Sequence, residues 1–289
     1  MNYQIVSDAT ADISPEMLEG LPFVRFIPMN ITVGEEPYLY GEGGEITTDE
    51  FYEKQNAGKF ASTSQIIPNA YEQYFDEILR EGQDILYLGF SSGLSNCYQN
   101  SLIAAEALRE KYPERTLRCI DTLCASVGGG FLVREAARRQ ADGATLEDLG
   151  DWVEEKKLHV CHWFTVDNFE YLRHGGRVSA TTAVAGTMLN IKPLLIVDNE
   201  GKLQTKEKPR GRKRAMKAQL ARMQATWQPE ISPLVVIGEG DAKERAEELA
   251  ALVKQEFPQA EIFTASVGPV IGAHTGPGML ALIFWGSER

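Results

Sequence analysis

The sequence predicts an α/β protein, with a parallel sheet in its first half and a mixed-sheet layer in its second. Three observations support this. Short apolar runs alternate with amphipathic stretches from the start of the chain, and the runs of the first half end in small hydroxyl or acidic residues. After about residue 160 the pattern changes to strands joined by an Asp198-Asn199-Glu200-Gly201 turn, a signature of antiparallel pairing.

In order, Gln4-Ile5-Val6 is the first strand and stops at Ser7-Asp8. Thr47 with Glu50 three residues on forms a capping box that opens a helix through Phe51. Asn69 to Glu81 is an amphipathic helix, with Tyr71, Tyr74, Phe75, Ile78 and Leu79 on one side. A strand over Asp84–Phe90 ends in Ser91-Ser92, a helix runs from Tyr98 to Lys111, and a strand over Thr116–Ile120 ends in Asp121-Thr122. Strand, helix, strand in this order implies right-handed crossovers and a parallel sheet. Thr145 caps a helix over Leu146–Lys157. The second half reads as a strand near Val160–Val166, helices from Asn168 and Thr181, strands Leu194–Val197 and Leu203–Lys206, and a helix from Gly211. The strand Leu234–Ile237, a charged helix Ala242–Phe257 and strands Ile262–Val267 and Met279–Trp285 complete it. The expected division is an N-terminal parallel α/β domain over 1–160 and a C-terminal mixed-sheet α/β domain over 161–289.

The 289 residues carry a net charge of −12, which argues against general nucleic-acid binding. The charge is uneven: Lys202 to Lys217 holds eight Lys/Arg against the single acid Glu207. Such a run is either a solvated helix face or a docking patch for an acidic partner. Four cysteines at 97, 119, 124 and 161 form neither a disulfide framework nor a CxxC pair, so a reducing cytoplasm is the expected location. No signal peptide is visible in MNYQIVSDAT, and no apolar run of membrane-spanning length occurs. The cluster His159-Val160-Cys161-His162 resembles a metal motif, but on a strand 159 and 161 share a face that 162 does not, so no metal is expected.

In parallel α/β sheets, ligands sit beyond the carboxyl ends of the strands. Neither GxGxxG nor GxxxxGK[ST] occurs, which disfavours a self-contained kinase or dinucleotide enzyme. Gly89-Phe90-Ser91-Ser92-Gly93 fits the G-x-S-x-G elbow between a strand and a helix. Asp121 and His274 follow in hydrolase order, so a serine hydrolase of acyl esters through Ser91, His274 and Asp121 is one reading. The segment Val270 to Gly278 reads as a glycine-rich loop in which His274 can donate a hydrogen bond or titrate. His159, His162 and His174 lack such a setting and read as structural.

Several motifs resemble those of the DegV family. The opening Ile5-Val6-Ser7-Asp8-Ala9-Thr10-Ala11-Asp12 looks like its T-D-S-T-type start, and Thr63-Ser64-Gln65 like its TSQ motif. Ser91-Ser92-Gly93-Leu94-Ser95 resembles its SSGLS loop. Tyr171-Leu172, Gly175-Gly176-Arg177-Val178-Ser179 and Leu189-Asn190-Ile191-Lys192-Pro193 resemble its central signature, and Gly268 to Gly276 its C-terminal one. Ile66 stands where the family often has proline, and Asn96-Cys97 where Gly-Thr is more usual.

The resemblance implies a two-domain fatty-acid-binding protein, not a stand-alone enzyme. It implies an acyl chain held in an interdomain tunnel, and a separate kinase subunit that phosphorylates the carboxylate to acyl phosphate for use as a phospholipid precursor. Carried over, Thr63, Ser95 and His274 would bind the carboxylate, Arg177 and Arg210 would contact the fatty acid kinase subunit, and no cofactor is expected. A third reading, by likeness to the dihydroxyacetone kinase fold, uses His274 covalently on a carbonyl ligand.

Overall fold

The computed structural model describes residues 3–178 and 190–289; the helix expected from Thr181, together with Ser179 and Leu189, lies outside the described residues. The chain runs β1 (Tyr3–Asp8), β2 (Arg25–Ile27), β3 (Met29–Val33), β4 (Glu36–Tyr40), α1 (Thr48–Asn56), β5 (Ala61–Thr63), α2 (Pro68–Arg80), β6 (Asp84–Gly89), α3 (Cys97–Lys111), β7 (Leu117–Asp121), α4 (Val127–Ala141) and α5 (Leu146–Lys156). It continues with β8 (Val160–Thr165), α6 (Glu170–His174), β9 (Leu194–Val197), β10 (Leu203–Glu207), α7 (Arg212–Thr226), β11 (Leu234–Glu239), α8 (Lys243–Glu256), β12 (Glu261–Ser266), α9 (Pro269–Thr275) and β13 (Leu280–Trp285).

The first sheet has the order β2-β1-β6-β7 and is parallel throughout, as the alternation of strand and helix requires. The second, β10-β9-β8-β13-β11-β12, is mixed: β11 and β12 pair in parallel and every other neighbour is antiparallel. The Asp198–Gly201 turn joins β9 to β10, with Asp198 Oδ1 accepting the Glu200 and Lys202 N–H groups.

The expected caps are present. Glu50 N–H donates to Thr47 Oγ1 at 3.2 Å while Glu50 Oε2 accepts Thr47 N–H at 2.8 Å, and Thr145 Oγ1 accepts Asp148 N–H. Burial of Tyr71, Phe75, Ile78 and Leu79 fixes the inner face of α2.

Three features depart from the sequence reading. A small antiparallel sheet, β4-β3-β5, stands beside the parallel one. Its strands are short, and β4 contains Pro37 and is half-exposed, so apolar alternation is weak. Helix α4 opens with three successive glycines, Gly128 to Gly130, which masks it as a helix in sequence. Segment 269–275, expected as a loop, is the helix α9, with Pro269 in its first turn. The positive φ values expected of that glycine-rich stretch fall on Gly276 (70°) and Gly278 (90°), just after the helix.

Helix α4 governs how the layers meet. It follows the last strand of the parallel sheet, yet packs on β8, β11 and β13 of the mixed one. One apolar cluster consequently runs from Ile5 and Leu88 through Phe131 and Val133 to Ile283 and Trp285. The glycines permit the close approach: a Cβ at Gly128 would collide with the His162 imidazole, and one at Gly130 with the Asp12 carbonyl oxygen. Helix propensity alone favours alanine over glycine by about 1 kcal/mol. Gly130→Ala is nevertheless expected to destabilise the protein by about 1–3 kcal/mol, the cost of overpacking. Urea unfolding reads this directly, and a stabilised variant would contradict the packing argument.

Candidate functional site: a cavity between the sheets

A cavity of about 750 Å³ lies between the carboxyl ends of the parallel strands and the inner face of the mixed sheet. That volume is in the range of small-molecule sites. Its polar lining includes Thr63, Ser64, Ser92, Ser95, Asn96 and His274. Its apolar lining includes Phe90, Phe164, Leu172, Leu203, Met279 and Ile283. Thr63, Ser95, His274 and Arg177 all line it, so residues from four segments far apart in sequence meet in one space. Arg210 does not line it; it is exposed, on an isolated bridge to Ile191.

Each polar group is positioned by its element. Thr63 ends β5, which is held by β3 through the Ile31↔Thr63 pair. His274 lies in the last turn of α9, whose start is fixed by Gly268 N–H donating to buried Asp12 Oδ1 at 2.8 Å. Asp12 Oδ2 also accepts from Ser126 Oγ at 2.6 Å, so this one side chain ties the loop after β1 to the starts of α4 and α9. Burial pushes its carboxyl up to about 7. Ser95 precedes α3; its Oγ accepts Cys97 N–H at 3.3 Å and donates to Cys97 Sγ at 3.2 Å. With Asn96-Cys97 there, the first backbone N–H of α3 is taken by the Ser95 hydroxyl. Ile66, the other departure, is buried, and its carbonyl accepts from Asn100 Nδ2 at 2.8 Å.

Thr63 Oγ1 and His274 Nε2 are 2.9 Å apart. His274 Nδ1 is buried without a hydrogen-bond partner among the described residues. Burial, with Arg177 and then His174 nearby, lowers the imidazole to about 4, so it is neutral at pH 7. A buried bare acceptor is tolerated better than a buried bare donor, which favours the tautomer with hydrogen on Nε2. In that tautomer His274 donates to Thr63 Oγ1, and the threonine hydroxyl hydrogen remains available to a ligand. Arg177 stands at the cavity wall, but its Nε donates to the Leu94 carbonyl at 3.2 Å and its Nη1 to the Gly175 carbonyl.

The hydrolase constellation is not assembled. Ser91 is fully buried and donates to the Gly201 carbonyl at 2.7 Å, clamped by the β9–β10 turn. Asp121 Oδ1 accepts the backbone N–H groups of Ser92 and Leu123, and His274 engages Thr63 instead. The strand-turn-helix context of the motif is real, but its serine is turned to backbone.

Two residues outside the expected set also matter. His162 lines the cavity; its Nδ1 bonds the Val160 carbonyl at 2.9 Å, and its Nε2 accepts Ala125 N–H at 3.3 Å. Burial, followed by the Arg289 charge, holds it down to about 3. Period-2 alternation placed it away from His159 but could not say that a cavity lay on its side. Asp167 gathers Lys192, Arg212 and Arg245 at 3.0, 2.9 and 3.3 Å, tying the first residue of α7 to the loop after β8. Among the described residues no His/Cys/Asp/Glu cluster suits a metal, and no helix is long and apolar enough to cross a membrane.

Comparison with known proteins identifies the family and the fold. A family model described as an uncharacterised protein of the DegV family matches residues 2–286. A DegV domain-containing protein of Clostridium perfringens is 36% identical over 287 residues, covering 99% of this chain and 98% of the relative. A solved DegV family protein from Thermus thermophilus, described by its fatty acid binding, superposes with a TM-score of 0.85 at 28% identity, covering 99% of this chain and 100% of that one. A Streptococcus pneumoniae fatty acid kinase (Fak) B3 protein loaded with linoleic acid shares the fold, with a TM-score of 0.86 at 19% identity and 99% coverage of both chains.

The pH behaviour of His274 is testable. Its folded value lies below the ordinary 6.5, so its contribution to stability is whole above pH 6.5. The contribution declines as pH falls, because the unfolded chain takes up a proton first, and is lost below about pH 4. Asp12, raised in the fold, acts with the opposite sign: its contribution is full below 3.8 and is lost as pH rises toward about 7. Comparing one variant with the parent isolates the histidine. Between pH 7 and pH 5, His274→Gln should lose less urea stability than the unmodified protein; equal losses would contradict a desolvated neutral imidazole.

Proposed function

The chain belongs to the DegV family, and we propose that it binds a long-chain fatty acid in this cavity and presents the carboxylate to a separate ATP-using kinase subunit. The observation that carries the reading is the lining of the cavity, where the uncharged hydroxyl and imidazole of Thr63 and His274 meet at 2.9 Å in a space with a large apolar wall. The fatty acid binding described for the Thermus thermophilus protein supports it.

The energetics suit such a ligand. A chain of about 16 carbons gains about 0.8 kcal/mol per buried CH₂, about 11 kcal/mol before the costs of association. Affinity can therefore come from the tail, which leaves the head group to be oriented. A carboxylate clamped in a bidentate arginine pair would be a poor nucleophile toward ATP. In this reading Thr63 and Ser95 each donate one hydrogen bond, His274 supports Thr63 from behind, and one carboxylate oxygen stays open to phosphorylation. Arg177 serves its own loop while lending positive potential at the mouth.

Arg177 and Arg210 are the partner-contacting residues of this proposal. Arg210 lies in the basic Lys202–Lys217 segment, whose exposed Lys206, Lys208, Lys213 and Arg214 would face an acidic patch on the kinase. No cofactor enters the proposal, since ATP would belong to the partner.

Organic extraction of the purified protein followed by lipid mass spectrometry should release a long-chain fatty acid; an extract free of fatty acid, together with failure of the apo protein to bind oleate or palmitate, would defeat the reading. Thr63→Val and Ser95→Ala should each weaken fatty acid binding by about 10-fold to 100-fold, the range of a hydrogen bond to a charged group. Unchanged affinity in both would remove the head-group assignment. Arg210→Ala should leave lipid binding intact and lower acyl phosphate formation by the kinase. Raising salt should weaken the kinase complex more than lipid retention, and a salt-insensitive complex would speak against a charged docking face.

A further inference from the structure

We propose that His162 forms the end wall of the cavity and sets the longest acyl chain the protein accepts. The inference rests on the fatty-acid reading above and deepens it.

The register of β8 against β13 acts as a ruler. Phe164 pairs with Ala281, His162 with Ile283 and Val160 with Trp285. Met279, the Phe164/Ala281 rung and the His162/Ile283 rung line the cavity, whereas the next rung, Val160/Trp285, is fully buried in the core. Behind it, the Trp285 ring meets those of Phe131 and Trp152 at centroid distances of 5.1 and 5.7 Å, so the space is closed. At the other end, α9 carries His274 and leads through Gly276 to Gly278 into Met279. A chain whose carboxylate sits at His274 and which follows β13 therefore passes Met279 and Ala281 and meets His162.

The imidazole cannot swing aside. Its Nδ1 donates to the Val160 carbonyl at 2.9 Å and its Nε2 accepts Ala125 N–H at 3.3 Å, which places both nitrogens on backbone. Gly128 of α4 lies so close that a Cβ there would strike the ring. The ring carbons are left to meet the terminal methyl group, making a surface that is tolerably apolar yet rigid. Neighbouring aliphatic residues could yield by changing rotamer; this ring is tethered from two sides.

Competition of saturated fatty acids of about 12 to 20 carbons against a fluorescent fatty acid tests this, with affinity rising about fourfold per buried methylene. For the unmodified protein the rise should stop at a cut-off length. In His162→Ala it should continue for about two further carbons, while His162→Phe, which keeps a flat ring, should retain the original cut-off. Ile283→Phe adds bulk at the same rung and should lower the cut-off, which keeps the test decisive even where His162→Ala does not fold. A cut-off identical in all folded variants would overturn the end wall while leaving the fatty-acid reading standing. Failure of the unmodified protein to bind any chain would overturn both.

Discussion

One contact between distant parts of the chain underlies the site: His274 Nε2 against Thr63 Oγ1, across 211 residues of sequence. It exists only if β5 is held by the small antiparallel sheet and α9 by its ties to Asp12, to Tyr52 (whose hydroxyl donates to the Val267 carbonyl) and to Gln55 (whose Nε2 donates to the Gly272 carbonyl). The contact is made of neutral groups in a desolvated place, where an unpaired charge would be costly. On the proposed function, holding a carboxylate without neutralising it needs donors that are fixed but uncharged. Burial supplies both conditions: it keeps the imidazole neutral and locks the surrounding backbone.

The buried carboxylates of the opening motif have the complementary task. Asp8 accepts from Thr10 N–H at 3.0 Å and from Tyr87 at 2.6 Å, with Tyr71 beyond it at 2.7 Å. Asp12 holds Ser126, whose φ of 53° with ψ of −139° is a strained conformation for a residue with a side chain. Both acids sit at the carboxyl end of β1, where ligand-facing loops start. Both are tied up in hydrogen bonds to neighbouring loops and helix starts, and so shape the loops that surround the cavity.

The parts of the fold that were legible in sequence are those with strong local signals. β1, β6 and β7 are apolar runs with polar ends, α2 has a clear buried stripe, and Thr47 and Thr145 mark helix starts through their own hydrogen bonds. The small sheet was not legible because Met29–Val33 and Glu36–Tyr40 owe their pairing to each other and to β5 rather than to their composition. Helix α4 was hidden by glycines that serve tertiary contact at the expense of propensity, and α9 by the same economy of small residues. Within the site, Thr63, Ser95, His274 and Arg177 were placed through motif resemblance, and the fold brings all four to one cavity. His162 was read as structural because a buried strand residue carries no mark of what lies opposite it. Ser91 misled because a five-residue pattern encodes a turn, whereas the direction of its hydroxyl is decided by Gly201, 110 residues away.

The placement of α4 has a consequence for cooperativity. By sequence it belongs with the parallel sheet, but its apolar face is claimed by β8, β11 and β13. Parting α4 from the mixed sheet would expose both that face and the rings of Phe131 and Trp285 that meet across it. Because α4 couples the two sheets, melting is expected to proceed as a single event rather than half by half. If the cavity holds a fatty acid as proposed, wholesale parting of the two layers would be the costliest way to release it, because α4 rivets the layers together.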